Sequence, residues 1–244
     1  MNEARSSGES GYGRTGGRIM MKRFGAAAAT FALALGACAS AHAFPLGFSV
    51  AGGIGAGYYS MADLNSHLNN VRQANHIKLD ELGSGVNFKA DARIWFYDLV
   101  AVSGGYEHLW GESVSEGSST TLDYKTPADV YTLGLVGAVF VVPNVVDLCV
   151  GVNRCSAKAV FGTNEVVSRR LAEFTGRNVG FEAYAEVHSN FINPVEVGLQ
   201  FGYRNLKIQT LYDRRSAVGF FESGDQISLD YSGFFFYLTS AIRI

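Results

Sequence analysis

From residue 86 to 98 the chain reads VNFKADARIWFYD, in which Val86, Phe88, Ala90, Ala92, Ile94 and Phe96 alternate with Asn87, Lys89, Asp91 and Arg93. Successive side chains of a β-strand point to opposite faces, whereas a helix would scatter both sets around a 3.6-residue turn. The segment is therefore a strand with one apolar and one charged face. A soluble ligand-binding barrel turns the apolar face of such a strand inward, and a membrane barrel turns it to lipid. The alternation alone leaves the choice open.

The pattern recurs. In VGFEAYAEVHSNF, Val179, Phe181, Ala183, Ala185 and Val187 oppose Glu182, Tyr184, Glu186, His188 and Asn190, and in VEVGLQFGYR, Val195, Val197, Leu199, Phe201 and Tyr203 oppose Glu196, Gly198, Gln200, Gly202 and Arg204. Period-two segments bounded by turn residues predict eight strands, at 46–59, 84–97, 99–111, 128–142, 147–162, 178–191, 195–208 and 228–244. Each is longer than the ~9–11 residues that a tilted strand needs to cross a bilayer. Tight connections near Asp98, at Pro143–Val146 and at Ile192–Pro194 alternate with long ones at 60–83, 112–127, 163–177 and 209–227. An up-and-down barrel with both termini on one side has this rhythm. The apolar faces end in Phe96, Tyr106, Trp110, Phe191 and Tyr203, as expected of side chains at membrane interfaces.

Composition narrows the choice. The 244 residues are 48% hydrophobic and 17% charged, with 29 Gly against 4 Pro, which suits one mid-sized β-rich domain. Residues 21–43, MKRFGAAAATFALALGACASAHA, carry a basic start, an apolar stretch from Phe24 to Ala37 and small residues at Ala41 and Ala43, which is the form of a secretory signal cut after Ala43. Translation is expected to start at Met20 or Met21, so residues 1–43 are set aside as an extension plus signal, and 44–244 form the domain. A lipoprotein box ending at Cys38 is the competing cut. Without residues 1–43 the chain keeps 15 of its 20 basic and 20 of its 22 acidic residues. That balance gives no sign of a nucleic-acid partner.

A signal, eight strands, alternating connections and the closing segment GFFFYLTSAIRI together resemble the eight-stranded outer-membrane barrels of Gram-negative bacteria, the OmpA-like and OmpW-like group. The resemblance covers residues 44–244 and is architectural. It implies an all-β fold, an eight-stranded antiparallel up-and-down transmembrane β-barrel with short periplasmic turns and longer extracellular loops, working without cofactor as a monomer. It also implies that Phe234, Phe236, Leu238, Ile242 and Ile244, of one parity, form the signal read by the barrel-assembly machinery. Ile244 departs from the terminal Phe usual in these families.

With lipid outside, Lys89, Asp91, Arg93, Glu107, Glu182, Glu186, Glu196, Arg204 and Arg243 line a lumen that only side chains can fill. Buried charges must pair. A connection centred on Asn193 sets positions summing to 386 opposite each other, so Glu182 faces Arg204 and Glu186 faces Gln200. A turn near Asp98 brings Glu107 opposite Lys89 or Asp91, within reach of Arg93. The expected role is an ionic plug in a structural or surface-interaction protein, with a narrow channel or small apolar-ligand conduit as one alternative and a soluble periplasmic lipocalin-like binder as another.

Other features carry weaker expectations. In the first long connection Ser60 is placed to cap a helix with Asp63 at its third position, and Met61, Leu64, Leu68 and Val71 recur at helical spacing. Val167, Leu171 and Phe174, followed by Gly176, suggest a second loop helix. Arg169, Arg170, Arg177, Arg214 and Arg215, with Lys125, are loop cations whose guanidinium forks suit lipopolysaccharide phosphates. VHSNF is similar to the H-x-S-N strand motif of outer-membrane lipid A deacylases, but here His188 and Ser189 are adjacent and so face opposite sides; no enzyme activity is expected. Cys149 and Cys155 are expected as free thiols in one continuous strand, and the scattered histidines form no metal motif.

Overall fold

The computed structural model describes residues 46–75, 78, 80–114, 122–142, 146–165, 170–192, 194–221, 224 and 226–243, without the side chains at 114, 122, 140–142, 163–165, 170–172 and 190–192. In chain order the elements are β1 (Leu46–Tyr58), α1 (Ala62–Asn75), β2 (Ser84–Phe96), β3 (Val100–Leu109), β4 (Glu112–Val114), β5 (Leu122–Lys125), β6 (Ala128–Val142), β7 (Val146–Glu165), β8 (Arg170–Ile192), β9 (Val195–Asn205), β10 (Lys207–Ile208), β11 (Leu229–Asp230) and β12 (Gly233–Arg243). Eight of the strands, β1, β2, β3, β6, β7, β8, β9 and β12, pair in that order, every neighbour antiparallel, and β12 returns to β1. The sheet is closed into a barrel, which leaves its wall without the unpaired edges of an open sheet.

The exposure of the alternating side chains decides the polarity of that barrel. Phe88, Ile94, Phe181 and Phe201 are 44–56% exposed on the outside, while Arg93, Glu182 and Arg204 are 2–4% exposed within. The lipocalin-like alternative needs those four apolar side chains inside, and it is corrected here. A narrow interior also needs small residues wherever bulky ones cross it. A Cβ on Gly55 would fall on the Phe236 carbonyl and the Tyr237 ring, so only glycine lets β1 approach β12 this closely.

Two strands are longer than their alternation suggested. β7 and β8 continue as one hairpin, with Phe161 opposite Phe174 and Glu165 opposite Arg170. The helix expected over Val167, Leu171 and Phe174 is therefore corrected: residues 170–174 lie in β8, and Val167 lies outside the described residues. The β7 edge offers a ready template for backbone hydrogen bonds, which outweighs the weak preference of a short apolar stripe for a helix. β5 pairs with the opposite edge of β7, and β4 with β5, so a small sheet continues from this side of the barrel.

At the end with the long connections, Met61 and, from α1, Leu64 and Leu68 enter an apolar cluster with Leu109, Val130 and Ala157 from the barrel and Leu206, Ile208, Leu211 and Ile227 beyond it. The helix starts at Ala62, later than a Ser60 cap would place it. The Ser60 amide donates instead to the Ser232 carbonyl, the Met61 amide donates to Asp230, and Met61 takes a left-handed φ of 40°. Asp63 therefore does not serve as a capping-box residue. Its carboxylate accepts from Ser228 Oγ at 2.6 Å and from Lys207 Nζ at 3.0 Å, tying α1 to the two ends of the fourth long connection. Those two bonds hold its pKa below the ordinary 3.8.

Candidate functional site

The interior carries its charge in three groups. Nearest the apolar cap, Arg204 of β9 donates from Nη2 to Glu182 at 2.8 Å and from Nε at 3.2 Å, and also pairs with Glu107 of β3. Asn153 Nδ2 completes the Glu182 carboxylate at 2.8 Å, Ser103 Oγ donates to Asn153 at 3.1 Å, and the guanidinium lies over the Phe235 ring at 5.2 Å. Glu182 and Arg204 are direct cross-strand partners, as are Glu186 and Gln200. Pairs summing to 386 run from 181 to 189, and the register slips by one between Ser189 and Ile192 next to the turn.

In the middle group Arg93 binds Asp91 at 2.9 Å and spans the lumen to both oxygens of Glu186, at 2.9 Å from Nη2. Lys89 lies 3.5 Å from Asp91, donates to Gln200 at 2.6 Å and stands over the Tyr184 and Tyr237 rings. Lys89 and Glu107 are opposite each other on β2 and β3, yet Glu107 turns to Arg204 and Arg93 to Glu186. The expected reach of Glu107 to Arg93 is thus corrected: a barrel lets a guanidinium cross the lumen, which adjacent-strand reasoning cannot see.

At the tight-turn end, Arg243 of β12 bonds Asp147 at 3.2 Å and Asp98 at 2.8 Å, with its guanidinium over Trp95. Between this group and the middle one, His188 lies 3.2 Å from Glu186 and 4.0 Å from half-buried Glu196. A small recess beside it is lined by Ser49, Trp95, Asp147 and Arg243. Among the described residues no hydrogen bond joins His188 to a serine. Nor do three His, Cys, Asp or Glu side chains converge there as metal ligands.

Among the described residues, four inward cations (Lys89, Arg93, Arg204, Arg243) thus face six inward carboxylates (Asp91, Glu107, Asp147, Glu182, Glu186, Glu196), and each of these cations is engaged. Asp147, Asn153 and Gln200 were not singled out as site residues, although each shares the parity of lumen residues on its own strand. Cys149 and Cys155 are buried, free and in one continuous β7.

The other candidates lie apart from this interior. Phe234, Phe236, Leu238 and Ile242 are 45–54% exposed on the outer face of β12; Ile244 is outside the described residues. Arg214 bonds Glu173 at 3.0 Å in an exposed loop, where Arg215 is also exposed. Arg169 and the side chain of Arg170 fall outside the described residues.

Closed eight-stranded antiparallel pairing, an apolar outer wall and a charged, side-chain-filled interior define the fold of the bacterial outer-membrane barrels. Among solved structures, the chain is similar to the outer membrane protein OprG of Pseudomonas aeruginosa, with a TM-score of 0.52 and 9% identity over 82% of this chain and 97% of that one. It is also similar to a major outer membrane protein of Thermus thermophilus (0.49, 11%, 82% and 99%) and to Ail, the attachment invasion locus protein of Yersinia pestis (0.44, 13%, 82% and 99%). At these identities the likeness speaks of fold alone. No family model matches the sequence, and the search of curated proteins found no match.

Proposed function

We propose that the protein is a monomeric integral outer-membrane protein whose lumen is plugged by ion pairs and whose role is structural and surface-directed. The observation that carries this reading is the inverted polarity: Arg204 is 2% exposed inside the barrel while Phe201, three residues earlier, is 56% exposed outside. Water would penalise that outer wall and lipid would not. Residues 1–43 then serve as extension and signal, removed after Ala43. The Tyr97–Leu99 turn faces the periplasm, and α1 and the long connections face outward. Phe234, Phe236, Leu238 and Ile242, with Ile244, present the outer face of β12 to the assembly machinery, and the loop cations Arg214 and Arg215, with Arg169 and Arg170, are placed for lipopolysaccharide phosphates. No catalytic role is proposed for His188. The ion-paired interior and the apolar cluster over its mouth favour a plug over an open channel.

The test compares unheated with boiled samples by gel mobility, alongside membrane fractionation and planar-bilayer recording. A heat-dependent shift in the outer-membrane fraction with no steady conductance is expected. Soluble periplasmic protein without a shift would overturn the location, and a stable open conductance would overturn the plug.

A further inference from the structure

The outer wall is apolar around most of its circumference. At the long-loop end it carries exposed Val86 and Phe88 on β2, Tyr203 on β9 and Phe234 on β12. One stretch differs. On β7 the outward positions run Val150, Val152, Arg154, Ser156, Lys158, so two cations follow two valines on the same face. Lys158 stands directly opposite Arg177 of β8 in the antiparallel ladder, and both are exposed. Like charges directly opposite on one face repel and destabilise a strand pair unless something anionic lies between them.

Nothing described in the chain fills that role. Across from Lys158 on β6 stands Asp129, but the two form no ion pair; Asp129 Oδ1 accepts from Tyr106 at 2.7 Å and lies 2.9 Å from His108 Nδ1. Among the described residues none of Arg154, Lys158 and Arg177 forms an ion pair, whereas the exposed Lys125, Lys207 and Arg214 all do. Arg154 is flanked by outward Leu133 and Phe181, which are 64% and 54% exposed. A lipid-facing arginine there is costly near the bilayer centre and tolerated at the interface, which sets this stretch at the level of headgroups.

We propose that the β7–β8 wall is a binding site for a phosphorylated glycolipid of the outer leaflet, the lipid A part of lipopolysaccharide. Lys158 and Arg177 clamp one sugar phosphate between them, Arg154 approaches the glycolipid from the membrane side, and the acyl chains lie along Leu133, Val152 and Phe181. Charge-assisted contacts from paired cations to phosphate are strong, and the guanidinium forks favour a phosphate over a lone carboxylate. The site rests on the outer-membrane reading; it takes in Arg177, expected in a loop but lying in β8, and is separate from Arg169, Arg170, Arg214 and Arg215.

The full chain, refolded in detergent, is titrated with bisphosphorylated lipid A, with its dephosphorylated form and with phosphatidylglycerol. Retained lipid is counted by native mass spectrometry, and each variant's heat-dependent gel shift is recorded. K158A/R177A should weaken bisphosphorylated lipid A at least tenfold and R154Q severalfold, and K158R should bind as wild type, all with the gel shift intact. Dephosphorylated lipid A and phosphatidylglycerol should bind wild type and K158A/R177A alike. Equal retention of bisphosphorylated lipid A by wild type and K158A/R177A overturns the site while leaving the barrel in place. Equal affinity of the wild type for phosphatidylglycerol overturns the glycolipid in favour of any anionic lipid. A wild type without a gel shift overturns the site through the reading beneath it.

Discussion

Replacing Arg204 with methionine isolates the most demanding contact in the lumen. The side chain is 2% exposed and serves two carboxylates, Glu182 at 2.8 Å and Glu107, while lying over Phe235. Methionine fills much of the volume but leaves both carboxylates uncompensated. Removing one partner of a buried pair costs about 3–5 kcal/mol, and with two orphaned anions the upper part of that range applies. With a urea slope of roughly 1–3 kcal/mol/M, the midpoint of the refolded barrel should fall by more than about 1 M. The assay is urea unfolding in lipid vesicles, followed by gel mobility without boiling. R204M with both Glu107 and Glu182 changed to glutamine should recover most of the loss, because removing every charge together leaves no buried ion unpaired. The swap E182R/R204E should recover only part of it, since the new carboxylate at position 204 meets Glu107. An R204M midpoint within experimental error of wild type, or full recovery in the swap alone, would refute the two-carboxylate geometry.

Three further outcomes follow from other parts of the molecule. Tyr97 and Asp98 take left-handed φ angles of 54° and 55° in the turn that joins β2 and β3, so Y97N, which suits that region better, should raise barrel stability by about 0.5–1 kcal/mol in the same urea assay; a loss would show that the ring is an anchor. Asp63 has a lowered pKa through Ser228 and Lys207, so the stability it lends α1 is present above its ordinary 3.8 and lost as pH falls through the lowered value. Amide-exchange protection of α1 should decline there in the wild type and be flat in D63N, and a decline that persists in D63N would reject the anchor. Cys149 and Cys155, buried at 2% and 0% exposure in one strand, should resist maleimide until the barrel is boiled and show the same mobility with or without reductant; a reductant-dependent shift would mean that β7 is not continuous.

The barrel was legible because two independent periodicities agreed. Alternation along β2, β8 and β9 gave each strand its faces, and the rhythm of short and long connections gave their order. Cross-strand register came from the tight turns, which is why Glu182 opposite Arg204 could be read from position numbers. What lay across the lumen could not: Arg93 meets Glu186 only because β2 and β8 face each other through a closed wall, and no linear pattern encodes that distance. The long connections were read less well. Val167, Leu171 and Phe174 carry a helical spacing, but the growing β7 edge recruits residues 170–174 into β8. Of the stripe Met61, Leu64, Leu68 and Val71, the last three did form a helix, which buries its apolar face against the residues over the barrel mouth, with Met61 just before it in the same cluster.

The two ends of the interior differ in a way that bears on the proposed plug. Toward the long connections the ionic groups give way to Leu109, Val130, Leu206 and the α1 stripe, so any path through Arg204 meets an apolar cap. Toward the tight turns the cover is charged and partly solvated, with Arg243 bridging Asp147 and exposed Asp98. A charged permeant entering from the tight-turn side would have to displace paired guanidinium groups and then cross hydrocarbon-like packing, and an apolar one entering from the other side would meet buried charge. On this reading each half of the interior would reject the solute that the other half admits. That complementary exclusion, more than the narrowness of eight strands alone, is the physical reason to expect a sealed barrel whose interactions lie on its wall and loops.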